Sequence, residues 1–210
     1  MGNIPVLYED NWLLIVDKPS GMLTVPTPRK ERRTLTSALN EENRAPDSPK
    51  LYPCHRLDRE TSGAIIYAKG EAARDRMMDL FRSRKVHKTY LALVQGGVSG
   101  HGRLSYPVEG AYAMTRYHVV ESRRSFSVVK CFPETGRTNQ IRIHFKMVGH
   151  PLVGETKFAF RKDFALKAKR LMLHAQQLEF VHPMTSRQIK VEAELPADMR
   201  DFIGSRAKEH

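Results

Sequence analysis

Seven short runs rich in apolar and β-branched residues, each broken off by glycine, proline or charge, leave this sequence few ways to fold. The first, WLLIVDKP (12–19), is mostly apolar and stops at Pro19 and Gly21, the pattern of a buried strand entering a loop. AIIYA (64–68), TYLALVQ (89–95), MTRYHVV (114–120), SFSVVKCF (125–132), LMLHAQQLEF (171–180) and RQIKVEAEL (187–195) follow, the last alternating Ile189, Val191, Ala193 and Leu195. Helical spacing is confined to three places. RRTLTSALNEEN (32–43) shows it through Leu35 and Leu39, and Ile141, Phe145 and Val148 suggest a short helix. GEAARDRMMDLFRSRK (70–85) sets Ala73, Met77, Leu80 and Phe81 on one face and basic residues on the other. RAPDSPKLYP (44–53) carries three prolines and reads as a connection, and QGGVSGHG (95–102) as a hairpin loop. Together these predict an α+β fold on a large, mainly antiparallel sheet.

No internal repeat, low-complexity tract or linker divides the 210 residues, so a single domain is expected. Lys and Arg number 35 against 23 Asp and Glu, a formal charge of +12 that draws polyanions, nucleic acid first and anionic membrane second. Three basic clusters stand out: RKERR (29–33), RSRKVHK (82–88) and RKDFALKAKR (161–170). Each alone reads as a solvated face. Together they predict salt-sensitive, sequence-blind contact with phosphates. Cys54 and Cys131 form no CxxC, which fits a reducing compartment without a disulfide framework. The start MGNIPVLYED has no leader pattern, and no apolar run approaches the roughly 18 residues of a membrane span. A soluble, cytoplasmic protein is expected. The nine histidines form no HExxH, and neither GxxxxGK[ST] nor GxGxxG occurs, so no metal and no nucleotide cofactor are expected.

Two motifs carry chemistry. In HRLDRETSG (55–63), Asp58 lies between Arg56 and Arg59. As a nucleophile it must be ionised, which a guanidinium within 4 to 6 Å favours by about 1 to 3 pKa units while burial opposes it. Spacing alone favours an exposed ion pair. In an extended strand Arg56 and Arg59 cannot both lie on the side of Asp58, so a partner from elsewhere is admissible. GRTNQIRIH (136–144) supplies one: Gly136 permits a tight turn, Thr138 is placed to cap a helix, and Arg137 stands where strand hands over to helix. The helix dipole there mildly disfavours a cation, which makes a carboxylate partner more plausible.

HRLDRETSG followed by AIIYAK resembles the signature of the RluA-type pseudouridine synthases, which isomerise uridine in structured ribosomal and transfer RNA. Four further blocks resemble the family in the same order: VLYEDNWLLIVDKPSGML (6–23), RKVHKTYLALV (84–94), ETGRTNQIRIHFKMVGHPLVGE (134–155) and RLMLHAQQLEFVHP (170–183). The resemblance implies the pseudouridine synthase fold, with flanking helices and a central RNA-binding cleft. It makes Asp58 the catalytic nucleophile, Tyr90 the aromatic that stacks on the target uracil, and Arg137 the cation paired with Asp58. Arg56 would fill the gap left by the flipped nucleotide, Lys88 and Ile141 would line the pocket, and Lys18 would lie on a loop near the cleft. Structured RNA is the implied partner, and a monomer is the default.

The chemistry suits these residue types. The bond from ribose C1′ to N1 breaks, the base turns, and C1′ joins C5, so substrate and product are isomers and no cofactor is called for. An aspartate that bonds covalently splits the step in two. The nucleotide must leave its stack, at a cost of a few kcal/mol. The rival reading is an inactive RNA-binding or ribosome-assembly factor on the same fold; a glycosidic hydrolase would want a second acid, and only Glu60 is near. This chain departs from the family in three places. RLSYPVEGAYAMTRYHVVE (103–121) is short, with AYAMT in place of a Lys-Pro-Ala-x-Thr lead-in, so a hairpin that grips RNA is expected to be missing. Glu155 replaces the usual aspartate, and the N-terminal RNA-binding domain of many relatives is expected to be missing ahead of residue 6.

Overall fold

A computed structural model describes residues 4–27, 31, 33–43, 45–158, 166 and 168–205. The strands are β1 Val6–Glu9, β2 Leu13–Lys18, β3 Leu51–Pro53, β4 Ser62–Lys69, β5 His87–Gln95, β6 His101–Leu104, β7 Thr115–Ser122, β8 Phe126–Pro133, β9 Leu173–Val181 and β10 Gln188–Glu192. The helices are α1 Leu35–Glu42, α2 Glu71–Arg82, α3 Gln140–Met147 and α4 Ala197–Ser205. Each strand pair with a described register is antiparallel, and the fold is α+β. The chain divides into two compact units, Met1–His87 with Gln177–Ala193, and Lys88–Gln176 with Glu194–His210.

In the first unit the strands run β1-β2-β4-β9, with β3 against β4 and β10 against β9. β4 is flanked by other strands and buried over all but its last residue, which explains why AIIYA is continuously apolar rather than alternating. Leu13, Ile15, Ala64 and Ile66 meet Ala73 and Met77 of α2 and Ile189 and Val191 of β10 in one core. α1 opens on a capping box, in which the Thr34 hydroxyl accepts the Ser37 amide and the Ser37 hydroxyl accepts the Thr34 amide.

In the second unit the order is β5-β8-β7-β6, and the sheet is covered on both faces. Ala92, Val129 and Cys131 pack on Ile141 and Phe145 of α3, while Leu91, Leu93, Phe126 and Val128 pack with Met199 of α4. QGGVSGHG is not a hairpin loop: it joins β5 to β6, yet β5 pairs with β8 and β6 with β7, so the chain crosses over two strands there. The proline-rich connection 44–53 ends in β3, whose Pro53 closes the strand. Both cysteines are buried free thiols, and burial pushes the Cys54 thiol up to about 12 and Cys131 higher still. No described helix is long and apolar enough to cross a membrane. Of the basic clusters, residues 29, 30 and 32 of RKERR and 161–165 and 167 of RKDFALKAKR lie outside the described residues.

Candidate active site

Residues 54–61 carry the chain from β3 to β4 and hold Asp58. The loop is fastened by its own backbone. The Leu57 carbonyl accepts the Thr24 hydroxyl at 3.0 Å, and that hydroxyl in turn accepts the Leu57 amide at 3.2 Å. The Asp58 carbonyl takes the Thr61 amide at 3.1 Å, and the Arg59 carbonyl takes the Gly21 amide at 2.8 Å. The Glu60 carbonyl takes the Ser20 hydroxyl at 2.6 Å. Four consecutive carbonyls are therefore satisfied by protein donors, which fixes the backbone on both sides of the half-buried Asp58. His55 serves the framework of the loop, since its Nε2 accepts the Ile66 amide at 3.1 Å and its ring meets Phe81 with centroids 5.1 Å apart.

The flanking arginines are exposed, and Arg59 faces Glu31 at 3.3 Å. Lys18 departs from expectation. It ends β2 rather than lying on a loop, it is fully buried, and its ammonium donates to the carbonyls of Pro19 at 3.0 Å, Met22 at 2.7 Å and Arg59 at 3.2 Å. Its ammonium ties the turn at Pro19 and Met22 to the Arg59 carbonyl of the Asp58 loop.

The second unit gathers the other named residues. β5 carries Lys88 and Tyr90, and Tyr90, opposite Cys131, is partly buried against the same cluster as Ile141 of α3. Arg137 lies in the connection from β8 to α3. Lys88 adjoins that connection, its Nζ 3.9 Å from where a Cβ on Gly136 would stand. Burial pushes the Lys88 ammonium below its usual range. Gly136 is not among the residues with positive φ, and a methyl there would meet nothing tighter than Lys88, so the turn does not depend on glycine.

Thr138 does not cap α3: the cap position falls on Asn139, left-handed at φ 57°, whose side chain accepts from Arg142 at 2.9 Å. What orders the Arg137 turn is Gln140, which sequence reasoning missed. Its Oε1 accepts the Arg137 amide at 3.1 Å and the Thr135 hydroxyl at 2.5 Å, and its Nε2 donates to the Met114 carbonyl at 2.8 Å and Thr115 at 2.9 Å. A buried glutamine of this kind is invisible in a sequence, because the two bonds of its Nε2 go to Met114 and Thr115, 26 and 25 residues away.

A cationic face was also missed. His101 stands opposite His118, Arg103 opposite Arg116, and His118 opposite Lys130, which puts five basic residues on one face of β6, β7 and β8. All but the half-buried Lys130 are exposed. Arg103 and Arg116 are like charges directly across the ladder, which destabilises it, although Glu134 meets Arg116 at 2.6 Å, so Arg103 is the residue of this face best matched to an anionic partner.

The sheet and its helices define a class first. Two human solved structures share the fold: RNA pseudouridylate synthase domain containing 4, with TM-score 0.80, 22% identity and coverage of 95% of this chain and 92% of that one, and RNA pseudouridylate synthase domain containing 1, with 0.76, 24%, 98% and 95%. Residues 12–147 match the family described as RNA pseudouridylate synthase. The chain is 33% identical to the uncharacterized RNA pseudouridine synthase YlyB of Bacillus subtilis, over 96% of this chain and 72% of the relative. It is 32% identical to ribosomal large subunit pseudouridine synthase D of Xanthomonas campestris, covering 95% and 68%, and 31% to tRNA pseudouridine synthase C of Pasteurella multocida, covering 95% of each. The chain belongs to the RNA pseudouridylate synthase family, isomerases that turn uridine into pseudouridine in RNA.

Proposed function

We propose that this chain isomerises uridine in structured ribosomal or transfer RNA, as a single cytoplasmic, monomeric catalytic domain with Asp58 as its nucleophile. The observation that carries this reading is the Asp58 loop, a backbone anchored through four successive carbonyls around one half-buried carboxylate. Pre-ordering of that kind holds a reacting atom near its attack position before substrate arrives. The carboxylate forms a bond to the nucleoside and is released when the isomer is complete. C1′–N1 breaks, C1′–C5 forms, and the proton on C5 leaves as N1 gains one. Arg137 is the counter-charge of Asp58 in this reading. Tyr90 gives the extruded base about 1 to 3 kcal/mol of stacking. Exposed Arg56 fills the vacated place with its guanidinium plane, and Lys88 and Ile141 line the pocket.

Loss of the C5 proton makes the test direct. Unmodified ribosomal and transfer RNA transcripts labelled with [5-³H]uridine should release tritium with the native protein. Asp58→Ala should release none at an unchanged melting temperature. Tritium release that survives in Asp58→Ala, or is absent with the native chain, would remove this reading.

A further inference from the structure

The segment expected to lack an RNA grip has instead a rigid exposed aromatic. Two large aromatic side chains are exposed among the described residues, Tyr106 at 37% and Tyr112 at 55%. Tyr106 is engaged: its ring meets His144 edge-on and its carbonyl binds the same imidazole at 3.0 Å. Among the described residues Tyr112 has neither a ring contact nor a side-chain hydrogen bond. Its backbone, in contrast, is held from both sides. Val108 and Ala111 exchange both amide hydrogen bonds, at 2.9 and 3.0 Å, around Glu109 and Gly110, whose φ angles are 51° and 76°. A two-residue turn with both centres left-handed is a stiff hairpin end. Beyond Tyr112, Ala113 is fully buried, the Met114 amide donates to Thr135 at 3.1 Å, and the Met114 carbonyl accepts from Gln140 at 2.8 Å. The Tyr112 carbonyl itself accepts Nε of Arg137 at 3.2 Å.

An exposed aromatic ring on a backbone hydrogen-bonded at its neighbours, with an arginine on its own carbonyl, presents the chemistry that holds an unpaired base. We propose that Tyr112 is a stacking platform for a nucleotide flanking the target uridine, and so a determinant of which RNA is taken. This rests on the RNA isomerase reading above and deepens it.

The test uses the full chain and the same unmodified ribosomal and transfer RNA transcripts, read in two ways. In tritium release, Tyr112→Ala and Tyr112→Leu should each raise KM about tenfold with kcat within about twofold, and Tyr112→Phe should match the native protein. In filter binding without turnover, the Kd should rise by a similar factor in the first two variants and not in the third. Equal Kd for Tyr112→Ala and the native chain, or full binding by Tyr112→Leu, would overturn the platform. If the native chain binds with this pattern but releases no tritium, the isomerase reading fails and the platform stands. Because Tyr112 is exposed, all three variants should keep the native melting temperature; if Tyr112→Ala does not, Tyr112→Leu and Tyr112→Phe still decide it.

Discussion

Lys88 and Lys18 show how differently one residue type is used when it leaves the surface. Burial pushes the Lys88 ammonium below its ordinary range, and no described carboxylate hydrogen-bonds it. The unfolded chain holds its proton up to about pH 10.4 while the folded chain gives it up earlier, so between those values the unfolded state binds more protons and stability rises with pH. Lys88→Met should therefore melt higher than the native protein at neutral pH, by about 2 to 4 °C for each kcal/mol relieved, with the gap closing as pH approaches about 10.4. Calorimetry across that range checks it, and the same variant should bind RNA less well. Lys18, buried more completely, donates to three carbonyls. From the sequence the two lysines look alike, one in VDKP and one in HKTY, because what separates them is where the carbonyls of other segments end up.

At the scale of elements, the connection that follows α3 is ordered by one buried pair. Arg142 meets Glu155 through two parallel bonds, at 2.7 and 2.8 Å, and Glu155 also accepts the amides of Lys157 at 2.7 Å and Phe158 at 3.2 Å. Burial raises the Glu155 carboxyl, but Arg142 and the two amides outweigh it and hold the group below its usual range. A lowered carboxylate contributes stability that is whole above the unfolded value near 4.3 and is lost as pH falls through the folded one. Glu155→Gln should cost about 3 to 5 kcal/mol at pH 7, since it leaves a buried guanidinium without its charge partner. In denaturant titrations the difference from the native chain should shrink below about pH 4.

Strands of eight or nine residues and the stripe of α2 were plain in the sequence, because period and apolar run length report burial directly. β1, β6 and α4 were not. The two strands have four residues each, too few to show a period, and α4 buries Met199 alone along its nine residues. The crossover at 95–102 escaped as well, since glycines mark a turn without saying which strands it joins. The site divides in the same way. Asp58, Tyr90 and Arg137 stood out through their motifs, whereas Thr24 and Gln140, which hold the loops, are single polar residues that tie them to partners 33 and 25 or 26 residues distant, Gln140 bonding Thr135 and Arg137 nearby as well.

For the whole molecule, +12 sets the reach of the surface rather than its choice of RNA. The face made by His101, Arg103, Arg116, His118 and Lys130 predicts a measurable share of it. Arg103→Gln should weaken every RNA about equally and lower the slope of log Kd against log salt by about 0.7 to 0.9. A salt series of filter-binding curves reads this directly, and it differs from Tyr112→Ala, whose loss should be nearly independent of salt. Two buried thiols have a use of another kind. With Cys54 and Cys131 enclosed and protonated at neutral pH, alkylating dyes meet a chain that behaves as though it held no cysteine. One cysteine introduced on the surface would then carry a fluorophore alone, so RNA arrival can be timed on an otherwise native protein.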